Sequence, residues 1–165
     1  MGKRILYIDM DGVIADFDVA LEKYDAKINS FNHENDLSQA EIRNRKVDVI
    51  CETNEEFFYQ IPLLNGAIEA VTKLFEIFDV YFLSTPMWNV PHSFIGKRIW
   101  IEEHFGELAS KRLILTHRKD LNMGEFLIDD RLCNGVENFQ GIHIHFGSKE
   151  FPDWKTIYEF LQNYL

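Results

Sequence analysis

Arg4-Ile5-Leu6-Tyr7-Ile8-Asp9-Met10-Asp11-Gly12-Val13-Ile14-Ala15-Asp16-Phe17 is the stretch from which the rest of the chain can be read. The apolar run Ile5 to Ile8 has no polar alternation, which predicts a strand buried on both faces, as in a parallel sheet. It stops at two carboxylates one residue apart, followed by glycine. Side chains two apart on an extended chain share a face, and Gly12 lets the chain turn, so Asp9 and Asp11 can converge on one point. Two acids beside a sharp turn attract a hard cation and repel bare phosphate. A Mg²⁺ ion reconciles the two, because it takes oxygen ligands and fills its octahedral shell with water and substrate phosphate. An EF-hand loop also opens with alternating acids, but it needs a helix before it and its glycine at the sixth position; here Gly12 is fourth and a strand precedes it.

Outward from this stretch, Val80 to Leu83, Leu113 to Leu115, Phe126 to Ile128 and Ile142 to Phe146 read as further strands. Between them, Ile68, Val71, Leu74, Phe75 and Phe78 fall at helical spacing, and a helix near residues 93–105 is expected to end at Gly106 as a left-handed cap. Pro152-Asp153 introduces a closing helix with the stripe Trp154, Ile157, Tyr158, Leu161 and Leu165. Residues 16–62 differ. They lack buried-strand runs, hold the polar cluster Asn29 to Ser38, and carry helical candidates near 37–49 and 53–61, the latter opening on Glu55-Glu56. The pattern predicts an α/β fold with a doubly wound parallel sheet. Residues 1–15 and 63–165 form the core, and residues 16–62 a small helical cap inserted after the first strand.

Ligands of such sheets bind beyond the carboxyl ends of the strands. Four strands lead into Asp9/Asp11, Ser84/Thr85, Lys119 and Asp129/Asp130. Hydroxyls, a lysine and paired carboxylates on one rim make a phosphate-and-metal site. Barriers to phosphoryl transfer fall chiefly through positioning and charge neutralisation. A carboxylate of ordinary acidity is ionised at neutral pH, so Asp9 is the expected nucleophile, forming an aspartyl-phosphate. Asp11 is expected to protonate the leaving alkoxide and then to draw a proton from the attacking water. Ser84 and Thr85 can donate to phosphoryl oxygens, Lys119 offsets their charge, and Asp129 and Asp130 complete the metal shell or orient its ligands. Adjacent residues rarely both face one ion.

Composition narrows the partners. Hydrophobic residues make up 46% of the 165, with 14 Phe, which predicts a folded globular chain. Seventeen basic against 27 acidic residues leave a net charge of −10, which argues against a nucleic-acid polymer. With no apolar run near 18 residues and no leader pattern, a soluble cytoplasmic protein without a membrane is expected. Cys51 and Cys133 are too few for a disulfide scaffold and match no zinc spacing.

Asp9-Met10-Asp11-Gly12-Val13, Ser84-Thr85-Pro86, Lys119 and Asp129-Asp130 resemble, in order and spacing, the four motifs of the haloacid dehalogenase superfamily. Asp9 to Phe17, Ser84-Thr85-Pro86 and Leu127 to Arg131 are more narrowly similar to its 5′(3′)-deoxyribonucleotidase branch. The resemblance implies Mg²⁺ held by Asp9, the Asp11 main-chain carbonyl and Asp130, a helical cap between the first two motifs, and a deoxynucleoside monophosphate as the small phosphorylated substrate. Lys97 falls where the branch has a substrate-contacting lysine. His117 stands where the branch has arginine, and Ser84-Thr85 reverses its Thr-Ser order. A homodimer is one assembly such a chain could form. A sugar phosphate is the nearest rival substrate. From another class comes a phospho-accepting receiver domain, which needs no lid.

Phe17, beside the nucleophile, is the aromatic expected to contact substrate; Phe57, Phe58, Tyr59 and Trp88 are expected in the core. Lys111 and Arg112 precede the third strand, at the wrong end of the sheet, and are expected to be solvated. Arg118 and Arg131 could pair with an aspartate or meet phosphate. His143 and His145 alternate on one face of a strand and, without a third ligand, read as structural.

Overall fold

The computed structural model describes residues 2–25 and 38–164; the polar cluster from Asn29 falls almost wholly outside them, as does Leu165. Five parallel strands run β1 (Ile5–Ile8), β2 (Asp79–Ser84), β3 (Leu113–Leu115), β4 (Phe126–Asp129) and β5 (Ile142–His145), in spatial order β3-β2-β1-β4-β5. The strand that carries Asp9 is thus central, flanked by β2 and β4. Ile8 is level with Phe82 on one side and Ile128 on the other. Asp9 therefore emerges at the same edge as Leu83-Ser84 and Asp129, and its amide still donates to the Ile128 carbonyl at 2.9 Å.

Strand periodicity splits the core. Leu6, Ile8, Val80, Phe82, Phe126, Ile128 and Ile144 join the main apolar cluster, with residues from the helices α3 (Ala67–Ile77), α4 (Pro91–Phe105) and α5 (Trp154–Leu161). Tyr7, Leu83 and Leu127 point the other way into a smaller cluster closed by Val136. The crossovers on that side are short, with only 3₁₀ turns at Lys119–Leu121 and Val136–Asn138. Arg112 is only partly solvated: its Nη1 donates to Asp79 Oδ1 at 2.6 Å and the guanidinium covers the Tyr81 ring, at the edge opposite Asp9.

Between β1 and α3 lie α1 (Phe17–Asp25) and α2 (Gln39–Thr53). Ser38 opens α2 with a capping box, its hydroxyl accepting from the Glu41 amide while the Glu41 carboxylate accepts from the Ser38 amide. The expected helix over 53–61 shrinks to a 3₁₀ turn, Phe57–Tyr59. Asn54 adopts an extended conformation, and both its amide and its side chain donate to the Ile50 carbonyl, which terminates α2 there. Gly106 has φ 52 and ψ −129, so its positive φ is as expected but it is no left-handed helical cap.

The chain enters and leaves the 16–62 segment through one place. Ala15 and Leu63 form an antiparallel bridge, the Asp16 amide donates to Pro62 and the Leu64 amide to Ile14, both at 2.8 Å. Phe58 is fully buried against α4 at Gly96, where a Cβ would lie 2.5 Å from its own. Among the described residues no helix is long and apolar enough to cross a membrane.

Candidate active site

The turn after β1 folds back on a single acceptor. The Met10 carbonyl accepts from the amides of Val13, Ile14 and Ala15 at 2.9 to 3.1 Å. Gly12 sits in this turn with φ 76, and a Cβ on it would stand 2.7 Å from the Asp130 Cγ. Glycine is required twice over, by the dihedral and by the close approach of the β4 loop.

Carboxylates outnumber cations here. Lys119, buried, lies 2.9 Å from Asp9 Oδ1 and bonds Asp129 Oδ2, although it follows β3, two strands from β1. The 3₁₀ turn Lys119–Leu121 carries it across, tied by the Lys119 amide to the Asn134 carbonyl at 2.8 Å. Burial pushes the Lys119 ammonium down, but Asp9 and Asp129 outweigh this and its pKa rises. Burial and then the charge of Asp9 push Asp129 up against the pull of Lys119.

Asp129 has both oxygens engaged, Oδ2 with Lys119 and Oδ1 with the Arg131 amide at 3.0 Å. Asp130 does not. Its Oδ1 is buried and, among the described residues, without a hydrogen-bond partner; the Arg131 Nε is 3.9 Å away. Oxygens of Asp9, Asp129 and Asp130 lie within 4.8 Å of one another. A pocket of hard oxygen donors with an orphaned buried carboxylate oxygen fits Mg²⁺, which takes such ligands and offsets their charge.

Burial first, and the Asp9 charge second, push Asp130 up to about 6. A folded-state pKa above the unfolded value means stability fully present below the unfolded pKa and lost as pH rises through about 6. Metal-free protein is therefore expected to melt at a higher temperature at pH 5 than at pH 7.5, and saturating Mg²⁺ to lessen that difference. Thermal melts across this range, with and without chelator, measure it.

Asp11 has a different partner. Lys97, buried in mid-α4, donates to Asp11 Oδ2 at 2.5 Å and to Ser84 Oγ at 3.1 Å, with its Nζ 5.7 Å from the Phe58 ring centroid. Asp11 Oδ1, also buried, has no partner among the described residues. Ser84 is fully buried behind this lysine, while Thr85 reaches the cleft wall with its hydroxyl donating to the Thr116 carbonyl at 2.8 Å.

The cleft beside Asp11 and Asp130 measures about 550 Å³. Phe17 lines it, braced edge-on by Phe57 at 5.2 Å, while Phe57 itself is buried. Arg43, Asn44 and Val47 of α2, which the sequence reading did not single out, line the cleft as well. Their spacing on one helix face was the available signal. Arg43 pairs with Asp18 of α1. A second cavity of about 360 Å³ adjoins, sharing Thr85, Met87 and Arg131 with the first. There Trp88, 77% exposed and not in the core, meets His117, whose Nε2 is buried and unpartnered among the described residues. Arg118 turns away to form a bidentate pair with Asp120.

Over residues 3–158 the chain matches the family described as 5′ nucleotidase, deoxy (Pyrimidine), cytosolic type C protein. A protein of Vibrio phage KVP40, provisionally named a 5′(3′)-deoxyribonucleotidase, is 42% identical over 159 residues, 96% of this chain and 85% of that one. The human 5′(3′)-deoxyribonucleotidase, cytosolic type, is 27% identical over 168 aligned residues, covering 93% of this chain and 78% of its own. In fold, the chain resembles a HAD-hydrolase of Bacillus subtilis solved with magnesium, at a TM-score of 0.65 and 13% identity, covering 98% of this chain and 100% of that one.

Proposed function

The chain belongs to the family of deoxy (pyrimidine), cytosolic type C 5′ nucleotidases, and from that premise we propose that it cleaves deoxynucleoside monophosphates at Asp9 through an aspartyl-phosphate. It is a phosphomonoesterase of the haloacid dehalogenase superfamily. The receiver-domain alternative gives way to that membership. The observation that carries the site assignment is the meeting of the Asp9, Asp129 and Asp130 carboxylates within 4.8 Å against a buried Lys119.

In this reading Asp9, the Asp11 main-chain carbonyl and Asp130 would hold Mg²⁺, which would supply charge to offset that on the phosphoryl oxygens. An Asp9 oxygen attacks phosphorus, and the ester P–O bond breaks. The leaving alkoxide takes a proton at Asp11 Oδ1, the oxygen that Lys97 leaves free, while the Lys97 bond fixes Oδ2. Asp11 then draws a proton from water; the water oxygen bonds to phosphorus and the acyl-phosphate P–O bond breaks, releasing phosphate and regenerating Asp9. Lys119 offsets charge throughout and Asp129 holds it in place. The Thr85 hydroxyl can serve a phosphoryl oxygen only by releasing Thr116. Lys97, tied to Asp11 and Ser84, acts on the substrate through Asp11.

Residues 16–62 serve as the cap, supported by their shared entry and exit at Ala15 and Leu63. Phe17 then flanks the nucleoside, with Arg43, Asn44 and Val47 lining the same cleft. The protein acts in the cytoplasm, as the name of the human relative says of that protein.

Turnover on a panel of deoxy- and ribonucleoside monophosphates and sugar phosphates tests this. A deoxynucleotide should lead every sugar phosphate by at least ~10-fold in kcat/KM, about 1.4 kcal/mol in transition-state binding. The reverse order would overturn the substrate class and leave the chemistry standing.

A further inference from the structure

We propose that His145 is a positioning residue for Asp130, holding the loop after β4 so that the Asp130 carboxylate meets Asp9. This rests on the reading of Asp130 as a metal ligand. His143 and His145 share a face of β5 with ring centroids 5.5 Å apart and planes 27° from parallel. Neither ring reaches a carboxylate through its bonded nitrogen. Each Nε2 meets a main-chain carbonyl instead, His143 that of Asp129 at 3.1 Å and His145 that of Asp130 at 2.9 Å. A carbonyl oxygen only accepts, so each Nε2 carries a proton.

The two bonds differ in consequence. Asp129 ends β4, and its carbonyl also accepts the Phe146 amide at 3.0 Å, so the sheet holds that peptide without His143. Asp130 lies beyond the last strand pairing, Asp129 with His145. There the imidazole of His145 takes the place of a ladder amide. Beyond its own main chain the Asp130 carboxylate is loosely held, with Oδ1 unpartnered among the described residues and Arg131 3.9 Å away. The direction of that carboxylate is thus set through its own main chain, and His145, which also lines the cleft, sets the main chain. Partners of this kind behind a ligand commonly govern affinity by 10–100-fold.

The test is Mg²⁺ titration of the whole protein by calorimetry and by thermal shift, at pH 8. His145→Phe keeps the ring bulk against His143 and removes the donor; His145→Gln keeps an N–H at the end of the side chain. The Phe variant should need at least ~10-fold more Mg²⁺ for half-saturation, and the Gln variant should return to within ~3-fold of the parent. Unchanged Mg²⁺ binding in the Phe variant, or equal weakening in both, would overturn the proposal. Asp130→Asn is the control: if it too binds Mg²⁺ as the parent does, the metal reading of Asp130 fails, whereas weakening by Asp130→Asn without weakening by His145→Phe removes the role of His145 alone.

Discussion

Asp9→Asn is expected to reduce Mg²⁺-dependent phosphate release by ~10⁴-fold or more, the scale on which loss of a covalent nucleophile is felt in other hydrolases. Asparagine preserves the shape and the position beside Lys119 but cannot form an acyl-phosphate that water readily cleaves. The fold should not suffer. The Asp9 charge is the second cause, after burial, of the upward shifts of Asp129 and Asp130, so its removal should bring both down. The metal-free variant should then melt no lower than the parent at pH 7.5, and its stability should depend less on pH between 5 and 7.5. Phosphate release measured beside thermal melts reads both effects; a variant that keeps a tenth or more of parental turnover would remove Asp9 from its role.

Lys119→Met is expected to damage both activity and stability. The lysine is the ammonium placed between Asp9 and Asp129, and its side chain is almost wholly inaccessible. Its loss leaves buried carboxylates uncompensated, which costs ~3–5 kcal/mol when one partner of a buried pair is removed. The sign with pH follows. Lys119 pulls the Asp129 pKa down against burial and Asp9, so without it Asp129 rises further. A group raised in the folded state gives stability that is complete below its unfolded pKa and lost as pH climbs through the folded value. The variant should therefore approach the parent in acid and fall furthest behind above neutrality. Denaturant melts at pH 5 and pH 8 decide this. A stability gap that does not widen toward pH 8 would mean that the ammonium is not compensating the carboxylates.

Much of this was legible because it is local. The apolar run ahead of Asp9 specified a buried strand, β2 to β4 each carry an apolar run, and β5 alternates isoleucine with histidine. The gathering of Asp9, Asp11, Ser84, Thr85, Lys119 and Asp130 on one side of the sheet followed from parallel topology. Finer assignments depended on distances no sequence states. Ser84 and Thr85 look alike in a string, yet one lies behind Lys97 and the other on the cleft wall. Lys97 sits mid-helix, and nothing in its neighbours marks it as the partner of Asp11, 86 residues away. The helix α1 was missed although Phe17, Ala20, Leu21 and Tyr24 have helical spacing, because Asp16 was absorbed into the motif before it; the Val19 amide in fact donates to Asp16 Oδ1 at 3.2 Å, as at a helix start. Over 53–61 the acidic pair suggested a helix start, but Asn54 and Pro62 leave too little chain between them.

Phe58 belongs to the 16–62 segment, yet it is pressed onto Gly96, and the ammonium next along α4 lies close to its ring while gripping Asp11. If the 16–62 segment recognises the substrate and Asp11 moves the proton, as proposed, recognition and reaction share a mechanical linkage. On the proposed reading, selection for a different base cannot rework the Phe58 side of the cleft without disturbing Asp11, so changes of preference should travel with changes of rate, and variants that alter one while sparing the other should be confined to the α2 residues Arg43, Asn44 and Val47.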